Sequence, residues 1–234
     1  MGQIIKSGKV ERVALGIAVR DASADDAAYV GLDEIRGVLV EDFGDASSPA
    51  LKAGIQAGDV IISVDGKRVD YVAQLQEAIA FRSAGEVVPV EVVRKGGRHL
   101  TVRVPLQRVS ETRTASADNS GNATSNDGGR GSSAPALGVK VAPVDAATAR
   151  QLQLPSDARG LVVLDVDDGS SASSHLATPD NGGPDMILSV EGKDVHSPEE
   201  LRAALGQVKS GEIVSLRVYN VPAKTRRIER VRVR

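Results

Sequence analysis

Three histidines, His99, His175 and His196, and a dispersed set of serines and carboxylates are the side chains in these 234 residues whose types could carry chemistry. A serine hydrolase needs Ser, His and an acid on a rigid scaffold, with N–H donors aimed at the oxyanion. Two stretches imitate a nucleophile motif: Asp45-Ala46-Ser47-Ser48-Pro49, which opens a short helix, and Asn119-Ser120-Gly121. Neither is flanked by strands, and the second sits in a polar stretch that cannot preorganise an oxyanion hole. The histidines are scattered and match no zinc spacing. His175, Asp180 and Asp185 fall close enough in sequence to share a loop, where solvated acids are the ordinary reading. No Cys is present, which excludes disulfides, thiolate metal sites and a Cys nucleophile. Lys95-Gly96-Gly97 and Gly128-Gly129-Arg130-Gly131 lack the helix start with Lys-Ser or Lys-Thr that a phosphate loop requires, and Asn122-Ala123-Thr124 is a short glycosylation match of a kind common by chance. These residues point away from catalysis, metal and cofactor. The remaining chemistry is recognition by backbone groups and apolar surface.

Composition narrows the partners. Hydrophobic residues are 41% and charged residues 26%, with a formal net charge of −2. Aromatics are 2%, with no Trp, so the core is built from Val, Ile, Leu and Ala and there is no base-stacking platform. Arg226, Arg227, Arg230, Arg232 and Arg234 alternate with Ile228, Val231 and Val233, the pattern of a strand with one wet face. That is not the basic footprint phosphate binding needs, so no nucleic acid is expected. No apolar run approaches the ~20 residues that span a bilayer, and Met1-Gly2-Gln3-Ile4-Ile5-Lys6 is not a signal peptide. No membrane span is expected, and any targeting segment would lie outside this chain.

The elements that position such a recognition site occur twice. Leu15-Gly16-Ile17 matches Leu137-Gly138-Val139, and Arg36-Gly37-Val38-Leu39-Val40 matches Arg159-Gly160-Leu161-Val162-Val163. Asp59-Val60-Ile61-Ile62-Ser63-Val64-Asp65-Gly66 matches Asp185-Met186-Ile187-Leu188-Ser189-Val190-Glu191-Gly192. Register held over several ordered elements means two copies of one domain. The first copy predicts strands over Val13–Arg20, Gly37–Glu41 and Val60–Val64, and a helix over Tyr71–Arg82 with an apolar stripe. A hairpin follows from Val87–Val93 to Leu100–Leu106 around Lys95-Gly96-Gly97. In the second copy Ser197-Pro198-Glu199-Glu200 opens the helix with a capping Ser, a Pro at the first position and acids in the first turn. Leu201, Ala204, Leu205 and Val208 form its stripe, and Lys209 and Gly211 end it. Between the copies, the stretch from Ser110 is rich in Ser, Thr, Asn, Asp and Gly and too poor in apolar area to offset its ordering entropy, so it reads as a linker.

The fold expected is mainly β with α: two small β-sandwich or barrel domains in tandem, each capped by two helices. A gap between one strand and one helix of such a domain takes an extended peptide as an added strand. Backbone N–H groups of a Gly-containing loop can hold a terminal carboxylate.

Gly8-Lys9-Val10-Glu11-Arg12, Leu15-Gly16-Ile17, Ser48-Pro49-Ala50, Ala53-Gly54-Ile55 and Ala57-Gly58-Asp59-Val60-Ile61 stand in an order that resembles the HtrA (Deg) family of serine proteases, from the junction behind the protease through its PDZ domains. The resemblance covers nearly the whole chain apart from the linker. It implies residues 1–11 as the remnant of a protease–PDZ junction, 12–108 as a first PDZ domain, 109–135 as linker and 136–234 as a second PDZ domain. It implies Leu15, Gly16 and Ile17 as the carboxylate loop, Arg12 as a charge partner for the carboxylate, and Leu75, Ala78 and Ile79 as pocket residues. In the second domain Leu137, Gly138, Val139, Leu201 and Leu205 correspond. There Ala134 takes the place of Arg12 and Pro184-Asp185 that of Gly-Asp.

The function implied is that of the peptide-binding regulatory region of a periplasmic serine endopeptidase active in protein quality control. The chain itself would be non-catalytic. Its partners would be unfolded or C-terminal segments of substrates, its own protease domain and neighbouring subunits. The alternatives are an assembly or inhibitory module, a standalone PDZ scaffold, or the PDZ pair of an intramembrane metalloprotease. The membrane helices expected of that last group are missing from the sequence.

Overall fold

Short Val- and Ile-rich runs punctuated by glycines become strands here because β-branched side chains pack well on a pleated, half-buried surface. The computed structural model describes residues 13–108, 131–144, 149–150, 154–155 and 159–234. The chain divides into two units, Met1–Asp118 and Asn119–Arg234.

In the first unit the order is β1 (Val13–Ala14), β2 (Ile17–Asp21), α1 (Ala24–Val30), β3 (Val38–Phe43), α2 (Pro49–Ala53), β4 (Val60–Val64), β5 (Lys67–Arg68), α3 (Val72–Ala80), β6 (Val87–Arg94), β7 (Arg98–Pro105) and β8 (Gln107–Arg108). Antiparallel pairing gives the sheet β2-β3-β4-β6-β7, with β5 on β4, while β1 and β8 form a separate pair. The core is aliphatic: Val38, Val40, Ile61, Val64, Val90, Val92 and Val104 from the strands meet Leu75 and Ile79 from α3.

The strand expected over Val13–Arg20 is two strands, because Gly16 sits at φ +74° and a left-handed residue breaks the ladder. Three helices, not two, cap this unit. The unexpected one, α1, is held by a capping box. The Ser23 side chain accepts the Asp26 N–H, and the Asp26 carboxylate accepts the Ser23 N–H at 2.9 Å and an Arg20 N–H at 2.6 Å. Asp26 is fully buried, so these partners also replace its lost water.

In the second unit the order is β9 (Ser132–Ala134), β10 (Val139–Pro143), β11 (Leu161–Val166), a 3₁₀ turn (Ser171–Ser174), β12 (Asp185–Val190), β13 (Lys193–Asp194), α4 (Pro198–Leu205), β14 (Ile213–Asn220) and β15 (Thr225–Arg232). The sheet runs β15-β14-β12-β11-β10-β9, with β13 on β12. The helix start at Ser197 matches expectation, its hydroxyl accepting the Glu200 N–H at 3.2 Å. The helix ends at Leu205 with Gly206 as its cap, earlier than Lys209 and Gly211. In this unit α4 and the 3₁₀ turn cap the sheet, and residues 149–150 are helical as well. Ser132–Ala134, inside the stretch expected as linker, is a strand of the sheet. The mainly β, tandem architecture is as expected.

A buried aspartate opens the central strand region of each unit. Asp59 takes a two-pronged ion pair from Arg94, with both N···O distances 2.8 Å, and accepts the Gln56 N–H, tying the end of α2 to β6. Asp185 is paired with Arg227 at 2.6 Å and accepts from Asn220 and from the Ala177 N–H. The acid expected as a solvated loop residue is thus an internal brace. His175 joins the same network through Glu229 at 3.0 Å.

Candidate functional site

Strand β2 is the edge of its sheet. It pairs with β3 on one side, and no described strand pairs with its other side. Helix α3 lies against β1 and β2, so the open strand edge and the helix form the two walls of a groove. Ile17 and Val19 from β2 and Val72 and Ala78 from α3 are half-buried and pack on the core from this side. Leu15, Leu75 and Ile79 are core residues beneath them, with 2%, 3% and 8% exposure. Of the residues expected to line a side-chain pocket, Ile17 and Ala78 are half-buried while Leu75 and Ile79 are core residues, as is Leu15 of the expected carboxylate loop. Arg12 lies outside the described residues.

The loop at the head of the groove is locked from behind. The Gly16 carbonyl accepts the Ser48 hydroxyl at 2.8 Å and the Gly44 N–H at 3.1 Å, and the Leu15 carbonyl accepts the Ala50 N–H at 3.3 Å. With the carbonyls turned back into the domain, the N–H groups of Leu15 and Gly16 have no acceptor among the described residues. Two adjacent backbone donors beside an open strand edge make an anion-binding concavity of the kind that takes a carboxylate. A Cβ on Gly16 would meet Gln107 Nε2 at 2.9 Å and Pro49 Cδ and Ser48 Oγ at 3.0 Å, so side-chain absence here is a packing requirement.

The far end of the groove is tied as well. Tyr71, at the start of α3, supplies no side-chain cap, and Asp21 at the end of β2 accepts the Val72 N–H at 2.7 Å instead. This bond spans the groove and sets its width. Sequence spacing gave no hint of it, since the partners are 51 residues apart. Ser48 was legible only as part of the Ser48-Pro49-Ala50 run. Its hydroxyl turns out to orient the loop.

The second unit repeats this frame with one change. Leu137 and Val139 (each 1% exposed), Leu201 (fully buried) and Leu205 (2%) are core residues. The Gly138 carbonyl, like that of Gly16, is turned back and accepts the Asp167 N–H at 2.7 Å. Strand β10, however, is not an open edge. Ser132–Ala134 pairs with it in the register Val139↔Ala134, Lys140↔Ser133 and Val141↔Ser132. The N–H groups of Leu137 and Gly138 both donate to the Ala134 carbonyl at 3.1 Å. The brace behind the loop is also thinner, because the Ser170 hydroxyl, the counterpart of that of Ser48, makes no hydrogen bond.

No cluster of His and acidic side chains among the described residues could hold a metal ion. No helix among them is long and apolar enough to cross a membrane.

Comparison with known proteins agrees with this frame. The family profile described as "PDZ domain" matches residues 13–106. Two relatives bear the name "Probable periplasmic serine endoprotease DegP-like". That of Chlamydia muridarum is 32% identical over 216 residues, covering 92% of this chain and 39% of its own length. That of Bartonella henselae is 34% identical over 200 residues, covering 85% of this chain and 36% of its own. The chain thus spans less than two-fifths of these relatives. A solved HtrA3 PDZ domain bound to a phage-derived ligand is 26% identical over 42% of this chain and 88% of that domain, at a TM-score of 0.35. Residues 13–106 are a PDZ domain, and the chain is a homologue, over most of its own length, of part of the HtrA/DegP-like serine endoproteases.

Proposed function

We propose that the first PDZ domain captures extended peptides, preferentially at a free C-terminus, and that the chain is the regulatory part of an HtrA-like endopeptidase. The observation that carries this reading is the β2 edge, which no described strand covers, with the N–H groups of Leu15 and Gly16 at its head. A bound peptide adds to β2 as an antiparallel strand. Its carboxylate receives the Leu15 and Gly16 N–H groups, and its last side chain enters between Ile17, Val19, Val72 and Ala78. The half-buried aliphatic lining favours a medium-sized apolar residue at that position. In this reading the chain tethers substrates and leaves cleavage to a protease domain elsewhere in the polypeptide. The names of the relatives support a periplasmic setting.

The reading is tested by titrating a library of C-terminal peptides against the 234-residue chain by fluorescence polarisation. The best ligand is then compared with its C-terminal amide, and the parent with the Gly16→Asp variant. Amidation and the variant are each expected to abolish most of the binding. An amide that binds as well as the acid removes the carboxylate from the reading, and a fully active Gly16→Asp variant removes the groove.

A further inference from the structure

The second unit carries its own ligand. We infer that Ser132–Ala134 is an intramolecular occupant of the β10–α4 groove, and that this groove accepts another peptide C-terminus only when the segment leaves. This rests on reading the strand–helix groove as a peptide site, but it concerns a different groove and has its own readout.

Three observations place the segment in the ligand position. It is hydrogen-bonded to β10 on the edge opposite β11, the position in which a peptide adds to a strand. Its last carbonyl, that of Ala134, takes the N–H groups of Leu137 and Gly138, the counterparts of those of Leu15 and Gly16. The Ala134 side chain, 2% exposed, sits in the core cluster with Leu137, Leu201 and Leu205, where a ligand's terminal side chain would sit. The helix wall adds a fourth contact, since Arg202 of α4 donates from Nε to the Ser133 carbonyl at 3.1 Å and from Nη2 to the Ser132 hydroxyl at 2.5 Å. The carbonyl of Ala134 thus stands where one oxygen of a terminal carboxylate would stand.

The local sequence explains how the chain doubles back here. Pro135 occupies the second position of a turn closed by the Leu137 N–H on the Ala134 carbonyl, the position for which its fixed φ is suited. Ala134 fills little of the space open to it. A cavity of about 280 Å³ adjoins it, lined by Pro135, Ala136, Leu205, Val208 and Val233 among others. The competing ligand is therefore a peptide with a free carboxylate, small polar residues before its end, and a terminal aliphatic side chain larger than Ala. A tethered segment competes at an effective concentration of order millimolar, which suppresses all but tight or abundant ligands.

The test uses the full 234-residue chain, ¹⁵N-labelled, with amide signals of Leu15, Gly16, Leu137 and Gly138 reporting on each groove separately. The probes are the hexapeptide Gly-Arg-Gly-Ser-Ser-Ala with a free carboxylate and its Val-terminated analogue. In the parent, Leu137 and Gly138 amides are expected to exchange with solvent at least ~10-fold more slowly than Leu15 and Gly16, and 0.1-millimolar-scale probe (about one-tenth of the tether's effective concentration) is expected to leave Leu137 and Gly138 unmoved. In a Ser132→Pro/Ser133→Pro variant one of the two lost N–H groups must face β10, because successive strand residues point opposite ways. This variant is expected to shift the Leu137 and Gly138 signals without peptide and to bind the Val-terminated probe there at least ~10-fold more tightly than the parent does. The Arg202→Ala variant, which leaves the strand backbone intact, is expected to move in the same direction by a smaller factor. Equal exchange at the two loops, probe binding at Leu137 and Gly138 in the parent, or no probe binding there in either variant overturns the inference. Probe binding at Leu137 and Gly138 in the opened variant with none at Leu15 and Gly16 keeps it and refutes the reading of the first groove.

Discussion

Adding one methyl group at Gly16 separates the two reasons that position needs glycine. The residue sits at φ +74°, a conformation that costs an L-residue about 1–2 kcal/mol. A Cβ there also meets Pro49 Cδ and Ser48 Oγ at 3.0 Å. Pro49 is a rigid ring at the start of α2, so Ser48 gives way, and its hydroxyl bond to the Gly16 carbonyl is worth about 0.5–1.5 kcal/mol. Gly16→Ala is therefore expected to cost the first domain roughly 2–3 kcal/mol in all. Gly85→Ala supplies the control, because Gly85 is at φ +86° with nothing within 4 Å of its added Cβ. It should cost only the conformational part, about 1–2 kcal/mol. The assay is native-state amide exchange read at Val90 and Val92, which lie in the core of the first unit, so that the second unit does not blur the transition. Peptide affinity is measured alongside. Gly16→Ala should weaken peptide binding at least ~5-fold, since the loop amides are displaced, while Gly85→Ala leaves it unchanged. Equal destabilisation by the two substitutions, or unaltered peptide affinity in Gly16→Ala, refutes the claim that the Ser48 brace shapes the loop.

Three other outcomes follow from the same structure. Asp21→Ala removes the bond that caps α3 and spans the groove, with an expected loss of about 1 kcal/mol in the first domain's exchange stability and a matching drop in peptide affinity. Asp185→Ala leaves Arg227 half-buried without its main carboxylate partner, and a loss of about 3–5 kcal/mol is expected in denaturant unfolding of the second unit, against a much smaller loss for the exposed Asp165→Ala. Burial pushes the Asp26 carboxyl up, but the Ser23 N–H and hydroxyl and the Arg20 guanidinium outweigh it and hold it below the usual carboxylate range. A depressed folded-state value means the stabilisation is present above the unfolded-state value and disappears as pH falls through the folded one. First-domain stability should therefore decline from roughly pH 5 to pH 3, and Asp26→Asn should be less stable at neutral pH and flatter across that window.

The tandem organisation and most elements were readable from local order. Runs such as Val60–Val64 and Val87–Val93 have no choice but to be strands, and Ser197-Pro198 can only start a helix. Repeat register made the pairing of Leu15-Gly16-Ile17 with Leu137-Gly138-Val139 visible, and with it the two candidate loops. What chain order alone determined about this protein is a doubled β-rich domain with a glycine-centred loop in each copy. Only the tertiary structure decided which residues act in those loops. Leu15, Leu75 and Ile79 are pulled beneath the surface because a domain without Trp builds its core from aliphatic side chains. Asp21 and Ser48 become shapers of the groove through contacts 51 and 32 residues apart in the chain. The strand laid on β10 is likewise a tertiary fact. Ser132-Ser133-Ala134 is too short and too polar to read as a strand, and becomes one because β10 offers unpaired backbone groups, Pro135 turns the chain onto them, and Leu201 and Leu205 provide an apolar place for one methyl group.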